Sequence, residues 1–445
     1  MEPKQVLILG CGRSGRAVIP ALQQEGCEIW VYDDRAAETP EGCLRWSGES
    51  NREGVSQRDW TEVILSPGFA PHHPIVVQLR AQGVPILSEV EFGLRRLDPG
   101  VRLGITGTNG KTTTTELAAW MLQQAGHRAS ACGNNGVPLS GLPSAAGSGG
   151  LVIELSSYQL EEVQRPFLDD AVYLNLTPDH LDRYGSMEAY ALAKGRILDL
   201  MRSADRGELL VHSSLLNYYP TWKAHPQIRT FGSAEADLRW ESGRVMMGAT
   251  VMADAPGSVV DRPQHDWLNA LAAGWLAVRQ GLSWPQVMEH WSSFDKGPHR
   301  CQWIADRQGV RYINDSKGTN LDATLQAMLS YPPGQILIAG GVHKGASYAA
   351  WRECVRERVQ RILTIGQAAE QIESELGDLV PVERCTVLDR AVVRAAELAQ
   401  PGETVLLSPG CASTDQFRDY RHRGECFEQY VLQLPATSDN VKRVG

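Results

Sequence analysis

The stretch Thr106-Gly107-Thr108-Asn109-Gly110-Lys111-Thr112-Thr113 constrains this chain more than any other. Before it, Val101, Leu103 and Ile105 alternate as a strand would; after it, Leu117, Ala118, Met121, Leu122 and Ala125 keep helical spacing. Glycines between a strand and a helix let the backbone wrap around phosphates, and the helix N-terminus adds a partial positive charge. Lys111 would reach outer phosphates, and the Thr112 hydroxyl would be offered to Mg²⁺. The strict phosphate-loop pattern wants a further Gly at position 105, where this chain has Ile, so the motif is a variant. The plainer reading is a Gly-rich turn before a helix.

Such a loop belongs to a parallel α/β sheet, and the same grammar recurs along the chain. In residues 1–99 the run VLIL leads into Gly10-Cys11-Gly12-Arg13-Ser14-Gly15 and a helical pattern from Ala17 to Gln24, then EIWVY, EVILS and VPILS. A second unit, 100–297, holds the phosphate loop and the buried-strand runs LVIEL and AVYLNL. Within it, 206–262 reads as short β pieces, such as GRVMMGATVM, which suggests an antiparallel insert. The third unit, 298–445, resumes with VRYIN, ILIAG, RILTI and TVLLS between helical segments, the last over Gly424–Leu434. A length of 445 residues suits about three domains.

A net charge of −9 argues against nucleic acid as a partner and leaves phosphate-bearing ligands to local cationic sites. No stretch approaches the roughly 20 apolar residues of a membrane span, and the start shows no signal-peptide pattern; a cytoplasmic protein is expected. Nine scattered cysteines with no CxxC pair argue against a disulfide framework or a structural zinc site.

Other residues invite chemical readings, each with a plainer one beside it. Gly10 to Gly15 with Asp33 at the end of the next strand reads as a dinucleotide site, or as a tight turn without a ligand. Because a second nucleotide loop lies downstream, the first could hold a nucleotide-linked substrate. Glu154 closes LVIEL where a Mg²⁺ ligand would sit, or caps a helix before Ser156-Ser157. His180, in NLTPDHLDR, is a metal or substrate ligand or a loop histidine. Lys194, in AYALAKGRIL, is either buried or a snorkelling surface lysine. Pro298-His299-Arg300, Asn314 to Asn320 and Ser408 to Ser413 are binding loops at strand ends, or solvated loops.

Taken together and in order, these motifs resemble the MurD family of the Mur ligase superfamily over nearly the whole chain. GTNGKTT, Glu154 before LSS, and His180 with Lys194 look like the superfamily's ATPase domain. NDSKGTN, the GGxxKG of Gly340 to Gly345, SPGCASTDQF, GCGRSG and Leu65-Ser66-Pro67-Gly68 look like the glutamate-adding branch. The resemblance implies three α/β domains: an N-terminal Rossmann-like domain, a central P-loop ATPase with the antiparallel insert, and a C-terminal Rossmann-like domain. It implies UDP-substrate binding by Arg13, Ser14, Asp33, Asp34, Arg35, Ser66, Gly68 and Asn134. ATP binding would fall to Thr108, Asn109, Gly110, Lys111, Thr112, Thr113, Asn269, Arg300 and Asp315. Two Mg²⁺ ions are implied, one on Thr112 and Glu154, the other on His180 and a carbamylated Lys194. The incoming amino acid would meet Lys317, Thr319, Lys344, Ser413, Thr414 and Tyr420. Three positions depart from the family's habit: Asp266 replaces the first Asn of HNxxN, Thr414 a bulky apolar residue, and Tyr420 a Phe.

The implied activity is ATP-dependent addition of D-glutamate to UDP-N-acetylmuramoyl-L-alanine, through an acyl phosphate and a tetrahedral intermediate, by a monomer in cell-wall synthesis. Lys111, Glu154, His180 and Lys194 would be its catalytic residues. One rival is a related ligase adding L-glutamate or another amino acid. A second, an NAD-dependent oxidoreductase, rests on GCGRSG and Asp33 but leaves GTNGKTT and NDSKGTN without a task. A third, a non-catalytic phosphate-loop switch, would not need Glu154, His180 and Lys194 together.

Overall fold

The computed structural model describes residues 3–34, 38–46, 58–69, 72–202, 207–260 and 262–435. Its contacts divide the chain into two compact units: Met1–Asn175, Tyr190–Arg262 and Asp266–Phe294 in the first; Leu176–Ala189, Pro263–His265 and Asp295–Gly445 in the second. Among the described residues the strands make three sheets, two in the first unit and one in the second.

In the first sheet β1 (Gln5–Leu9), β2 (Glu28–Tyr32), β3 (Leu44–Trp46), β4 (Glu62–Leu65) and β5 (Ile86–Ser88) run parallel in the order β3-β2-β1-β4-β5. Central β1 is buried from Val6 to Leu9, as a strand covered on both faces must be. The strand order reverses between β1 and β4, which opens a crevice beyond their carboxyl ends. The helix after β1, Arg13–Gln24, begins earlier than its apolar pattern suggested. It buries Gly15, Val18, Ile19 and Leu22, one face at helical spacing.

The second sheet takes β6 (Arg102–Thr106), β7 (Ala129–Gly133), β8 (Gly150–Glu154), β9 (Asp170–Tyr173), β10 (Leu209–His212), β11 (Ile228–Phe231), β12 (Leu238–Glu241), β13 (Arg244–Met247) and β14 (Thr250–Asp254). Their order is β14-β13-β12-β11-β10-β9-β6-β8-β7. The antiparallel part is confined to β12–β14 and extends this sheet through one parallel pairing, Phe231 with Leu238. Strands β10 and β11 of the same stretch are parallel. Trp240 on β12 stacks on Trp267 at 3.3 Å between ring centroids, so the extension packs against the helix Gln264–Arg279.

The third sheet has the order β15-β16-β20-β17-β18-β19, formed by β15 (Gln302–Arg307), β16 (Val310–Asn314), β17 (Gln335–Gly340), β18 (Val359–Ile365), β19 (Val382–Thr386) and β20 (Thr404–Leu407). Only β15 is antiparallel to its neighbour. The expected fold class, three mostly parallel α/β layers, is borne out. The strands that sequence reading passed over are mostly edge strands: β3, β7, β15 and β19 each end a sheet order. Edges carry polar or small residues, as in VERCT and ASACG, and so show little apolar signal.

The first two sheets are joined within one unit by carboxylates. Glu89 Oε1 accepts from the Ser140 amide at 2.8 Å and its hydroxyl at 2.6 Å. Glu91 Oε1 accepts the amides of Gln164 and Arg165. Glu89 is buried, its Oε2 has no hydrogen-bond partner among the described residues, and burial raises its pKa. The ionised form is therefore disfavoured in the fold. This contribution to stability is full below the unfolded value, about 4.3, and is lost as pH rises through the folded one. Glu89→Gln keeps the acceptor and removes the charge. We predict that its thermal stability exceeds wild type at pH 8, by about 1–2 kcal/mol, and that the gain disappears near pH 4. Calorimetry at both pH values checks this; a Gln variant less stable at pH 8 would contradict it.

Candidate active site

In the first sheet the loop after β1 turns at Gly10 (φ +89) into a helix whose N-cap, Gly12, makes no side-chain hydrogen bond. Its first amides are left to an anion. Asp33, at the end of β2, accepts the Cys11 amide at 2.7 Å and so fixes this loop. Ser66, after β4, donates to the Gly10 carbonyl at 2.7 Å and spans the crevice. A Cβ at Gly15 would strike the Gly10 carbonyl, so only Gly allows the helix this close to the loop. Arg13 and Gly68 are exposed and Ser14 half-buried at the same edge. Asp34 is exposed, with Oδ1 accepting from the Tyr32 hydroxyl at 2.8 Å and Oδ2 3.5 Å from His73 Nε2. Arg35 lies outside the described residues.

In the second sheet β6 runs into the phosphate loop and then the helix Lys111–Gln124. Gly110 is its N-cap at φ +81, again without a side-chain cap. Lys111 Nζ donates back to the carbonyls of Gly107 and Thr108, both at 2.8 Å. Lys194 Nζ donates to the same Gly107 carbonyl at 2.7 Å. The snorkelling alternative for Lys194 is excluded: the residue is 1 % exposed, and its ammonium lies 5.0 Å from the centre of the Tyr190 ring. Asn269 accepts from Thr114 at 3.2 Å, and its amide fills the space a Cβ on Gly110 would need. Asp266 is buried in the first turn of the same helix, where an acid suits the macrodipole.

Glu154 ends β8, the strand paired with β6 through Ile105. Its Oε1 accepts from Asn134 Nδ2 at 2.9 Å, and its buried Oε2 has no hydrogen-bond partner among the described residues. A buried carboxylate oxygen left open beside a phosphate loop suits a hard cation. Thr112 and Thr113 are half-buried in the first turn of the neighbouring helix.

Sequence reading passed over Asn175, at the end of β9. Its Oδ1 accepts the amides of Thr108 at 3.0 Å and Asn109 at 2.8 Å, and its Nδ2 donates to the Asn109 carbonyl at 3.1 Å. All three bonds hold phosphate-loop backbone. A strand-end Asn in NLTPDH was the available signal.

In the second unit the loops over 314–320, 340–345 and 408–413 follow β16, β17 and β20, which are adjacent, while Pro298-His299-Arg300 precedes β15. The Gly410 amide donates to the Gly318 carbonyl, and Val342 and Ala412 exchange two backbone bonds, so the loops are tied edge to edge. Asp315, buried, accepts from Ser408 Oγ at 2.7 Å and the Cys301 amide at 3.2 Å; burial pushes its pKa up to about 7. It braces two loops. Arg300 donates to the Lys296 carbonyl at 2.6 Å. Lys317 Nζ lies 4.2 Å above the Tyr420 ring. Burial pushes the Tyr420 phenol up, but the cations Lys317 and Arg421 bring the net direction down. Ser413 is buried, Thr319 half-buried and Thr414 exposed. Lys344 pairs with Asp179 at 3.0 Å, and Asn320 approaches the other Asp179 oxygen at 3.5 Å. His180 has positive φ (+55), and its Nε2 is 3.6 Å from Asp179. Thus Asp179, His180, Asn320 and Lys344 meet in one unit, while Lys111, Glu154 and Lys194 belong to the other.

Among the described residues no helix is long and apolar enough to cross a membrane. Three family models match in order: a MurD-like N-terminal domain over 4–88, the Mur ligase middle domain over 105–249, and the glutamate ligase domain of Mur ligases over 299–411. Proteins named UDP-N-acetylmuramoylalanine–D-glutamate ligase are similar at full length. That of Protochlamydia amoebophila is 36% identical over 97% of this chain and 98% of its own. That of Anaeromyxobacter dehalogenans is 37% identical with the same coverage. Among solved structures, MurF of Acinetobacter baumannii has a TM-score of 0.63 at 17% identity, over 96% of this chain and 90% of its own. MurC of Thermotoga maritima has 0.60 at 17%, over 96% and 99%. These structural likenesses speak for the fold. The phosphate loop, the strand-end loops of the third sheet and the full-length relatives leave no place for a nicotinamide oxidoreductase, and the chain belongs to the MurD family of Mur ligases.

Proposed function

We propose that this chain is an ATP-dependent ligase that joins the amine of D-glutamate to the alanyl carboxylate of UDP-N-acetylmuramoyl-L-alanine in peptidoglycan synthesis. The observation that carries the reading is the phosphate loop on β6 beside Glu154 on paired β8, whose buried Oε2 has no partner among the described residues. A carboxylate is a poor electrophile, so an amine does not displace its oxygen in water. Transfer of the ATP γ-phosphoryl group to that oxygen makes an acyl phosphate and ADP. The neutral glutamate amine then attacks the carbonyl carbon. The tetrahedral intermediate collapses to the amide as phosphate leaves with the former carboxylate oxygen.

The first-sheet crevice, with Arg13, Ser14, Asp33, Asp34, Ser66 and Gly68, holds the UDP end; Arg35 joins that set from the sequence alone, and Asn134 meets the substrate nearer the reacting end. Thr108, Asn109, Gly110, Thr112 and Thr113 cradle the ATP phosphates, with Asn269 and Arg300 toward the nucleoside and Asp315 bracing the loops beside Arg300. Lys111 turns from loop carbonyls to the phosphates and steadies the charge that develops there. Thr112 and Glu154 would hold one Mg²⁺, and His180 with carbamylated Lys194 a second. When bound, such ions screen the repulsion between γ-phosphate and carboxylate. Lys317, Thr319, Lys344, Ser413, Thr414 and Tyr420 receive the glutamate.

The deciding experiment offers the protein UDP-N-acetylmuramoyl-L-alanine, ATP and Mg²⁺ with D- or L-glutamate, and follows phosphate release and product mass. Release and a product one glutamyl residue heavier should appear with the D isomer only. Activity confined to L-glutamate or to another amino acid would transfer the chain to a different Mur activity.

Arg13 adds a full charge at an anion-binding helix start but belongs to the remote end of the substrate. Contacts made equally in ground and transition states change KM and not kcat. Arg13→Ala should raise KM for the UDP-substrate about tenfold, the loss of one charge-assisted contact, with kcat nearly unchanged. Steady-state kinetics that show a lower kcat at constant KM would count against this role.

Lys194 should carry its carbamate in the working enzyme. Protein equilibrated with carbon-13 bicarbonate should show a carbamate resonance that Lys194→Ala lacks, and the Ala variant should lose nearly all turnover. An Ala variant of full activity, with no difference between the two spectra, would exclude the modification.

A further inference from the structure

Asp33 and Asp34 stand side by side at the end of β2, and the structure gives them different tasks. Asp33 Oδ2 is turned to the Cys11 amide at 2.7 Å and serves the loop after β1. Asp34 is the exposed acid, with 51 % of its side chain open to solvent. Its orientation is nonetheless held from two sides. Oδ1 accepts from the Tyr32 hydroxyl at 2.8 Å, and Oδ2 lies 3.5 Å from His73 Nε2. His73 is also the N-cap of the helix Pro74–Ala81, its Nδ1 accepting the Ile75 amide at 3.3 Å. The neutral ring therefore carries its proton on Nε2, the nitrogen that faces Asp34.

The two donors are fixed in turn by packing. Tyr32 and Phe69 are buried. The Phe69 ring lies 4.6 Å from His73 and edge-on to Tyr32 at 6.0 Å between centroids. Phe69 also borders Gly10, the turn of the loop after β1. Strands β2 and β4 flank β1, so Tyr32 and Asp34 from one side meet Phe69 and His73 from the other. An exposed ion pair stabilises a fold by less than about 1 kcal/mol. What this arrangement does achieve is one fixed direction for a carboxylate at the sheet edge.

The chemistry of a UDP moiety says what such a carboxylate meets. The phosphates accept hydrogen bonds and repel its charge; they belong with Arg13 and the helix start at Gly12. The donors that UDP offers include the ribose 2′-hydroxyl and the N3–H of uracil. An acid at the end of the second strand is where sheets of this kind read a ribose. With one Asp33 oxygen spent on the loop, Asp34 is the acid turned outward.

We propose that Tyr32 and His73 are positioning residues that hold Asp34 to accept a hydrogen bond from the nucleoside of the UDP-substrate, at the ribose 2′-hydroxyl or the uracil N3–H. This rests on the assignment of the UDP end to the first-sheet crevice made above.

The test titrates the full chain calorimetrically with UDP-N-acetylmuramoyl-L-alanine, UDP, 2′-deoxy-UDP, CDP and, as a control, ADP. Tyr32→Phe keeps the ring and removes only the hydroxyl. His73→Asn keeps a residue that caps the helix and removes the reach to Asp34. Asp34→Ala should weaken UDP about tenfold, and Tyr32→Phe or His73→Asn about threefold each, as the loss of one hydrogen bond or part of one. ADP binding should not change. Added to Asp34→Ala, neither of the other substitutions should weaken UDP further, a non-additivity that a merely structural residue would not produce. A wild-type preference for UDP over 2′-deoxy-UDP that Asp34→Ala erases assigns the donor to the ribose; one over CDP assigns it to the base. Unchanged UDP affinity in Asp34→Ala, additive losses in the double variants, or a wild type with neither preference would overturn the proposal. A wild type that binds no UDP-substrate defeats the UDP assignment and this inference together; one that binds it, with insensitive variants, defeats only the inference.

Discussion

A parallel strand that ends beneath a helix whose N-cap offers no side chain leaves the helix start to other partners, an anion among them. In this chain the two helices that start the candidate anion sites both begin that way. Gly12 and Gly110 stand where Ser, Asp or Asn would bond the first turn, at a gain of only about a few tenths of a kcal/mol over Gly. Some helices of the chain are capped by a side chain, with Ser88, Ser156, Asn320 and Asp419 each accepting an amide of the helix they begin, and others, starting at Arg352, Ala369 and Leu388, are not. What sets Gly12 and Gly110 apart is that each follows a glycine turn at the carboxyl end of a parallel strand, a helix start suited to an anion. Around the second of them the supports accumulate. Gly107's carbonyl takes two lysines, Asn175 takes the amides of Thr108 and Asn109, and Asn269 closes on Gly110.

How much of this was legible in the sequence depends on whether a residue's chemistry or its surroundings carries the signal. The glycine loops were legible because only Gly serves a turn at positive φ or a helix pressed against a strand. Central strands were legible because burial on both faces leaves an unbroken apolar run. Edge strands were not, since β15 and β19 alternate little and carry charges. The 206–262 stretch misled in a particular way: its short β pieces suggested a separate antiparallel insert, but β10 and β11 continue the parallel sheet and only β12–β14 reverse direction.

The candidate site shows the same division. Lys194 reads from sequence as either buried or snorkelling, because a lysine among apolar neighbours suits both; only its position against Gly107 decides. Asn175 looks ordinary in sequence, and its meaning comes from a loop distant along the chain. The loops after β16, β17 and β20 were each recognisable as strand-end loops. That they are neighbours follows only from the strand order β16-β20-β17, which places the last of these strands between the other two. Asp315, read as a nucleotide contact, bonds Ser408 in the loop after β20 through one oxygen and the Cys301 amide just before β15 through the other.

The central claim is that ATP activates the alanyl carboxylate as an acyl phosphate. Oxygen-18 placed in that carboxylate tests it directly, with inorganic phosphate analysed by mass after a single turnover with D-glutamate. The account predicts that each amide formed sends one labelled oxygen into phosphate. Unlabelled phosphate accompanying amide formation would contradict it.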